Sequence, residues 1–151
     1  MKEPLTALPD GLVQKLRKET FVLLSTVDQD SGGPANNAIS WVYAVDPATI
    51  RFAVDARSRI NGNLDGNPHC SVTFFADGTV YTAYGKARRV AEALENVPFR
   101  LACYDIAIES VRDTMFYGSR ITTEPEYEKK YDKRAADKLD RQVYDAMRNL
   151  Q

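Results

Sequence analysis

Three of the connections between apolar runs in this chain are too short to carry a helix, which excludes most folds that alternate strands with helices. The runs are Thr20–Val27, Ala35–Val45, Ile50–Asp55, Cys70–Phe75 and Val80–Val90, rich in β-branched and aromatic residues. Asp28–Pro34 is a loop of turn formers, Asp46-Pro47-Ala48-Thr49 closes a second connection, and Asp77-Gly78 stands between two runs as a tight hairpin turn would. Turns of that length join antiparallel neighbours, because a parallel pair needs a crossover of about a dozen residues or more. Only the link from Asp55 to Cys70 is long enough to hold a helix, over Ile60–Leu64. A further strand is expected over Leu101–Arg112. There Ala102, Tyr104, Ile106 and Ile108 share one parity and Cys103, Asp105 and Glu109 the other, as in a half-buried edge or barrel strand. Five or six short strands with close turns make a small closed or partly closed barrel the expected fold, mainly β with flanking helices.

The first flanking helix, LVQKLRKE, follows Pro9-Asp10-Gly11, with Asp10 placed to cap it and Leu12, Val13 and Leu16 on its apolar face. The last and longest is expected from Glu124 to Gln151, where Tyr127, Tyr131, Ala135, Leu139, Val143 and Met147 recur every fourth residue and Leu150 continues the face. Glu126 with Lys130 and Asp137 with Arg141 are spaced to pair across one turn, so the charge-rich opposite side reads as a solvated face. A fixed four-residue spacing drifts around a helix, so the stripe is able to pack first on its own barrel and then on a second subunit. Between these helices, Glu92–Asn96 suits one helical turn before Pro98, residues 115–123 read as loop, and Gly85 inside a strand predicts a bulge or a close backbone approach.

A net charge of −1 argues against binding nucleic acid through the overall field. Cys70 and Cys103 lie among strand residues without the paired spacing of a metal site, so buried free thiols of a reducing compartment are expected. The single His69 does not complete a zinc set with them, and no metal is expected. No apolar run approaches the ~20 residues of a membrane span, and the opening MKEPLTALPDGL lacks an apolar signal core, so the expected location is the cytoplasm.

The segment with the most chemical content is the long link itself, FAVDARSRINGNLDGNPHCSVTFF from Phe52 to Phe75. Arg57-Ser58-Arg59 bring two guanidinium groups and a capping hydroxyl to the start of a short helix. A helix start offers unpaired N–H groups and the positive end of its dipole, and arginine forks add charge-assisted bonds to phosphate oxygens. The same residues also serve as a plain helix cap flanked by two solvated arginines.

Taken in order, FVLLSTVDQDSGGPANNAISWV, TIRFAVDARSRINGNLDGNPHCSVTF and VYTAYGKARRV resemble the flavin-binding split-barrel family related to pyridoxamine 5'-phosphate oxidase. In that family the third strand ends in a phosphate-binding turn reading S-x-K-x-x-N-L, and an Asn-Pro pair opens the next strand. Ser58, Asn63, Leu64, Asn67 and Pro68 match that pattern, while Ile60 stands in the place of the lysine. The resemblance implies a single FMN-binding split β-barrel domain over residues 1–151, of about six antiparallel strands with a long C-terminal helix. It implies FMN as cofactor, a homodimer with flavin sites at the interface, and a small-molecule substrate or electron donor, with no nucleic-acid or membrane partner.

Carried over by position, the resemblance places Asn37, Ser40 and Trp41 along the isoalloxazine ring, and Val54 and Asp55 toward the ribityl chain. Arg57, Ser58, Arg59 and Asn63 fall at the phosphate, with the two arginines replacing the lysine and Asp55 bracing one of them. Trp41 equally suits a core or interface position, and Tyr81 and Tyr84 suit either the ring or packing. The activity implied is an FMN-dependent oxidoreductase, with no catalytic residue assigned and His69 read as structural. Pyridoxamine phosphate oxidation itself is not expected, because no separate basic set for a substrate phosphate is found. The alternatives are a flavin carrier or stress-related sensor without turnover, and a deazaflavin or haem binder on the same barrel.

Overall fold

The run from Ala35 to Val45, read above as one strand, breaks at Ser40-Trp41 into two, and the break governs the architecture. The computed structural model describes residues 3–150. In chain order they form α1 (Asp10–Lys15), β1 (Val22–Val27), β2 (Pro34–Ile39), β3 (Val42–Asp46), β4 (Thr49–Asp55), α2 (Arg59–Gly66), β5 (His69–Ala76), β6 (Thr79–Ala91), β7 (Leu101–Asp113) and α3 (Lys133–Asn149). The seven strands make one sheet in the order β2-β1-β5-β6-β7-β4-β3, every pair antiparallel. Its two edges are therefore β2 and β3, which only two residues separate in the chain. Three peptide units span about 11 Å at most, so the sheet must curl until its edges nearly meet. The result is an antiparallel barrel left open along one seam, a split barrel as the sequence suggested.

The barrel interior holds the main core, with Val22, Leu24, Val42, Ile50, Phe52, Val72, Phe74, Tyr104 and Ile106 buried, and Leu8, Leu12, Val13 and Leu16 of α1 and its flanks packed against them. Phe52 and Tyr104 stack with centroids 5.2 Å apart. A second cluster lies on the outer face of β4 and β7, where Ala53, Leu101 and Cys103 meet Val143 and Met147 of α3. This second layer explains why β4 is buried on both faces. The sheet order makes β7 a central barrel strand, flanked by β6 and β4, rather than an edge. Both cysteines are free and buried, and burial pushes their thiols up to about 12.

Several local expectations are corrected. Asp10 is the first residue of α1 rather than its cap; Pro9 occupies the cap and no side chain bonds there. Residues 92–96 form turns and bends instead of a helical turn. The last helix begins at Lys133, not Glu124, because Asp132 caps it, its carboxylate accepting from Arg134 N at 2.8 Å and Ala135 N at 3.3 Å. Pro125 disfavours helix at Glu124, and Tyr127 packs edge-on against Phe21 in an irregular segment. The buried stripe of α3 is accordingly Ala136, Asp140, Val143 and Met147, while Ala135 is exposed. No helix of the described residues is long and apolar enough to cross a membrane.

Candidate functional site

The barrel seam opens into a cavity of about 360 Å³, lined by Asn37–Trp41 around the strand break, Ala53, Val54 and Asp55 at the end of β4, and Ser58 and Ile60. These positions come from three stretches within residues 37–60, and specific bonds bring them together. The Ala53 amide donates to the Trp41 carbonyl at 3.0 Å, tying the end of β4 to the seam. The chain then turns through Ser58 N to the Asp55 carbonyl at 2.9 Å, and Ser58 Oγ accepts from Ile60 N at 3.2 Å to cap α2. Asn61 fixes that turn from below: its Nδ2 donates to the carbonyls of Asp55, Ala56 and Ser58 at 3.0, 3.3 and 3.0 Å. Its Oδ1 accepts from the buried Tyr104 hydroxyl at 2.7 Å, and that hydroxyl receives Arg89 Nη2 at 2.7 Å. The turn is thus fastened to the barrel core.

The opposite wall is held by α3. The Trp41 indole N–H donates to Asp140 Oδ1 at 2.9 Å, and the Tyr144 hydroxyl donates to the Ser40 carbonyl. Asp140 is 8% exposed, with the Lys129 ammonium 2.9 Å from its other oxygen. Burial raises this carboxyl, but the bonds from Lys129 and Trp41 outweigh that and bring it below the usual carboxylate range. A buried anion paired on both oxygens keeps the indole in one orientation at the cavity rim.

Of the nine positions that the family resemblance implies, Asn37, Ser40, Trp41, Val54, Asp55 and Ser58 share this one cavity. The other three are placed elsewhere. Arg57 sits over Asp55, with Nε and Nη2 at 3.2 and 3.3 Å from its carboxylate oxygens, but the side chain is 90% exposed. Arg57 holds the Asp55 carboxyl below the usual range, which is the brace expected. Arg59 turns away to the β1–β2 loop, with Nε 3.0 Å from Asp28 Oδ1 and Nη2 2.6 Å from Asp30 Oδ2. Asn63 is buried between α2 and β1, donating to Thr26 Oγ1 and accepting from Gln29 N, both at 3.0 Å. Arg59 and Asn63 therefore clip that loop to α2, and neither lines the cavity. Tyr81 and Tyr84 do not line it either.

Asn61, Asp140 and Tyr144 escaped the sequence reading although they set the cavity walls. Asp140 had a signal: read at 3.6 residues per turn instead of four, it falls on the apolar face with Ala136, Val143 and Met147, where a carboxylate needs a partner. Among the described residues no cluster of three or more His, Cys, Asp or Glu is placed to hold a metal ion.

The sequence profile of the family described as Pyridoxamine 5'-phosphate oxidase matches residues 8–114. No curated protein matches the chain. Among solved structures, a Lactobacillus delbrueckii protein, provisionally named a pyridoxamine 5'-phosphate oxidase, aligns with a TM-score of 0.62 at 20% identity, over 74% of this chain and 99% of its own. HupZ of Group A Streptococcus aligns at 0.59 and 15% identity, over 75% and 98%. An F420 reductase aligns at 0.59 and 15% identity, over 70% and 98%. Identities this low establish the shared fold and nothing further.

Proposed function

We propose that this chain, which belongs to the pyridoxamine 5'-phosphate oxidase family, binds a flavin in the cavity at its barrel seam. The observation that supports this reading is the convergence of Asn37, Ser40, Trp41, Val54, Asp55 and Ser58, drawn from three separate segments, on one cavity. The lining suits a flat heteroaromatic ring with a polyol tail. Ile39, Trp41 and Val54 supply apolar surface, and Asn37, Ser40, Asp55 and Ser58 supply donors and acceptors. As an edge strand, β2 also carries backbone N–H and C=O groups with no neighbour on one side, able to meet the polar rim of a ring. FMN is the form we propose, and when bound a flavin supplies hydride and electron transfer that no side chain here provides. The chain's own contribution is to orient the ring against Trp41, whose indole Asp140 fixes, and to seat the tail on the turn that Asn61 holds.

The proposed assembly is a homodimer. Asn36, Asn37 and Ala38 of β2 are all exposed, so the middle of this edge strand is left uncovered within the chain, and a second copy laid over β2 closes the cavity. A flavin carrier without turnover is the second reading, favoured by one observation. Among the described residues, the single ionisable side chain of the lining is Asp55, kept ionised by Arg57, so these residues offer no carboxyl, imidazole or ammonium proton to the cavity.

Purified protein mixed with FMN and passed through a sizing column, with visible absorbance and light scattering recorded together, tests both parts. The expected result is one peak with the twin bands of bound flavin at about twice the chain mass of 16.9 kDa. A colourless peak overturns flavin binding, a Soret band replaces flavin with haem, and a coloured monomer overturns the shared site.

A further inference from the structure

We infer that the phosphate end of the flavin contributes little to binding in this chain, so that riboflavin and FMN bind with similar affinity. The inference rests on the flavin reading above and concerns how its tail is held. Among the described residues lining the cavity, Asp55 is the one charged side chain, and it is an anion. Ile60, in the position where the sequence pattern calls for lysine, is an apolar residue 3% exposed.

Both nearby guanidinium groups are already engaged by carboxylates, Arg57 with Asp55 and Arg59 with Asp28 and Asp30. Two cations thus face three anions, and the turn carries one negative charge in excess. A phosphate monoester bearing about 1.5 to 2 negative charges meets, at either arginine, a guanidinium whose Nε and Nη2 already face a carboxylate, so that only Nη1 is left to it and the pair's net charge attracts it little. Asp28 is unable to swing clear, because its Oδ2 accepts from Asp30 N at 3.1 Å and Ser31 N at 2.9 Å. The α2 start offers less than a bare helix end, since Ser58 Oγ already takes the Ile60 N–H. What remains are contacts to the uncharged part of the ligand: hydroxyls of the ribityl chain on Asp55 and Ser58, and the ring on Trp41.

Calorimetric titration of the wild-type protein with riboflavin and with FMN, at physiological salt, decides the matter. The two dissociation constants are expected within about tenfold of each other, equivalent to ~1.4 kcal/mol. A preference for FMN above that ratio overturns the inference. Asp30→Asn, at a position whose side chain is 79% exposed and tolerant of change, removes one competitor for Arg59. It is expected to tighten FMN about threefold and leave riboflavin unmoved; equal shifts for both ligands count against the charge argument. If wild-type protein binds neither compound, the flavin reading itself fails, which is a different outcome from a strong FMN preference.

Discussion

Arg51→Ala is expected to cost about 3–5 kcal/mol of stability, a large part of what a domain of this size possesses. Arg51 points from the outer face of β4 into the layer beneath α3, and its side chain is 8% exposed. Nε and Nη2 form a fork on Asp105, at 2.7 and 3.0 Å from its two oxygens. Nη1 donates to the carbonyls of Met147 at 2.7 Å and Leu150 at 3.0 Å, at the C-terminal end of α3 where helix carbonyls lack partners. Truncation leaves the Asp105 charge beside an apolar cluster and strips both carbonyls of their donor. Urea unfolding followed by circular dichroism measures the loss. Arg51→Lys keeps the charge but not the fork, and is expected to recover less than half of it. The variant also loosens the helix that carries Asp140 and Tyr144, so Trp41 emission is expected to shift toward the red before global unfolding. A cost below about 1 kcal/mol contradicts the role given to Arg51.

Gly85→Ala is expected to be comparably damaging, by about 3 kcal/mol, for a steric reason rather than an electrostatic one. β6 and β7 shift register between Tyr84 and Gly85, and the bulge presses the Gly85 backbone onto the neighbouring strand. A Cβ there stands 2.2 Å from the Ala107 carbonyl oxygen, 2.9 Å from Ile106 Cγ2 and 3.0 Å from the Ala107 carbonyl carbon. Two of these three atoms are main chain, so relief requires opening the longest strand pair of the barrel. Gly66→Ala is the matched control, because its added methyl meets nothing within 4 Å. The control is expected to lie within about 0.5 kcal/mol of wild type when the two are compared by thermal unfolding.

Gly85 shows which kinds of information the sequence carried well. A glycine inside an otherwise β-forming run signals a backbone constraint, and the constraint is local enough to be read without coordinates. Short turns determined the antiparallel order of neighbours for the same reason. Asp77-Gly78 in particular adopts left-handed backbone at both residues, with φ of 54° and 75°. The seam was not legible in this way. Nothing in ANNAISWVYAV marks Ser40-Trp41 as the point where one edge of the sheet ends and the other begins, because that depends on how five other strands are ordered between them.

The site divides along the same line. Residues named through the family pattern fell into the cavity where the end of β4 and the cap of α2 fix them, as at Val54 and Ser58. Arg59 and Asn63 did not, because their side chains answer to the β1–β2 loop, whose Asp28, Asp30 and Gln29 lie about thirty residues away in sequence. The C-terminal stripe, taken at a fixed spacing of four residues, includes Tyr127 and Tyr131, which precede the helix altogether. That spacing hid Asp140, which with Tyr144 joins α3 to the cavity wall.

Trp41 is the only tryptophan of the chain and stands at the rim of the proposed flavin cavity, so its fluorescence tests the central claim most directly. Titrating the protein with riboflavin is expected to quench Trp41 emission saturably, reaching its limit at one flavin per chain, with Asn37→Ala or Ser58→Ala shifting the midpoint to higher concentration. Emission that stays unchanged while calorimetry reports flavin binding elsewhere, or no binding by either method, contradicts a flavin site at the barrel seam.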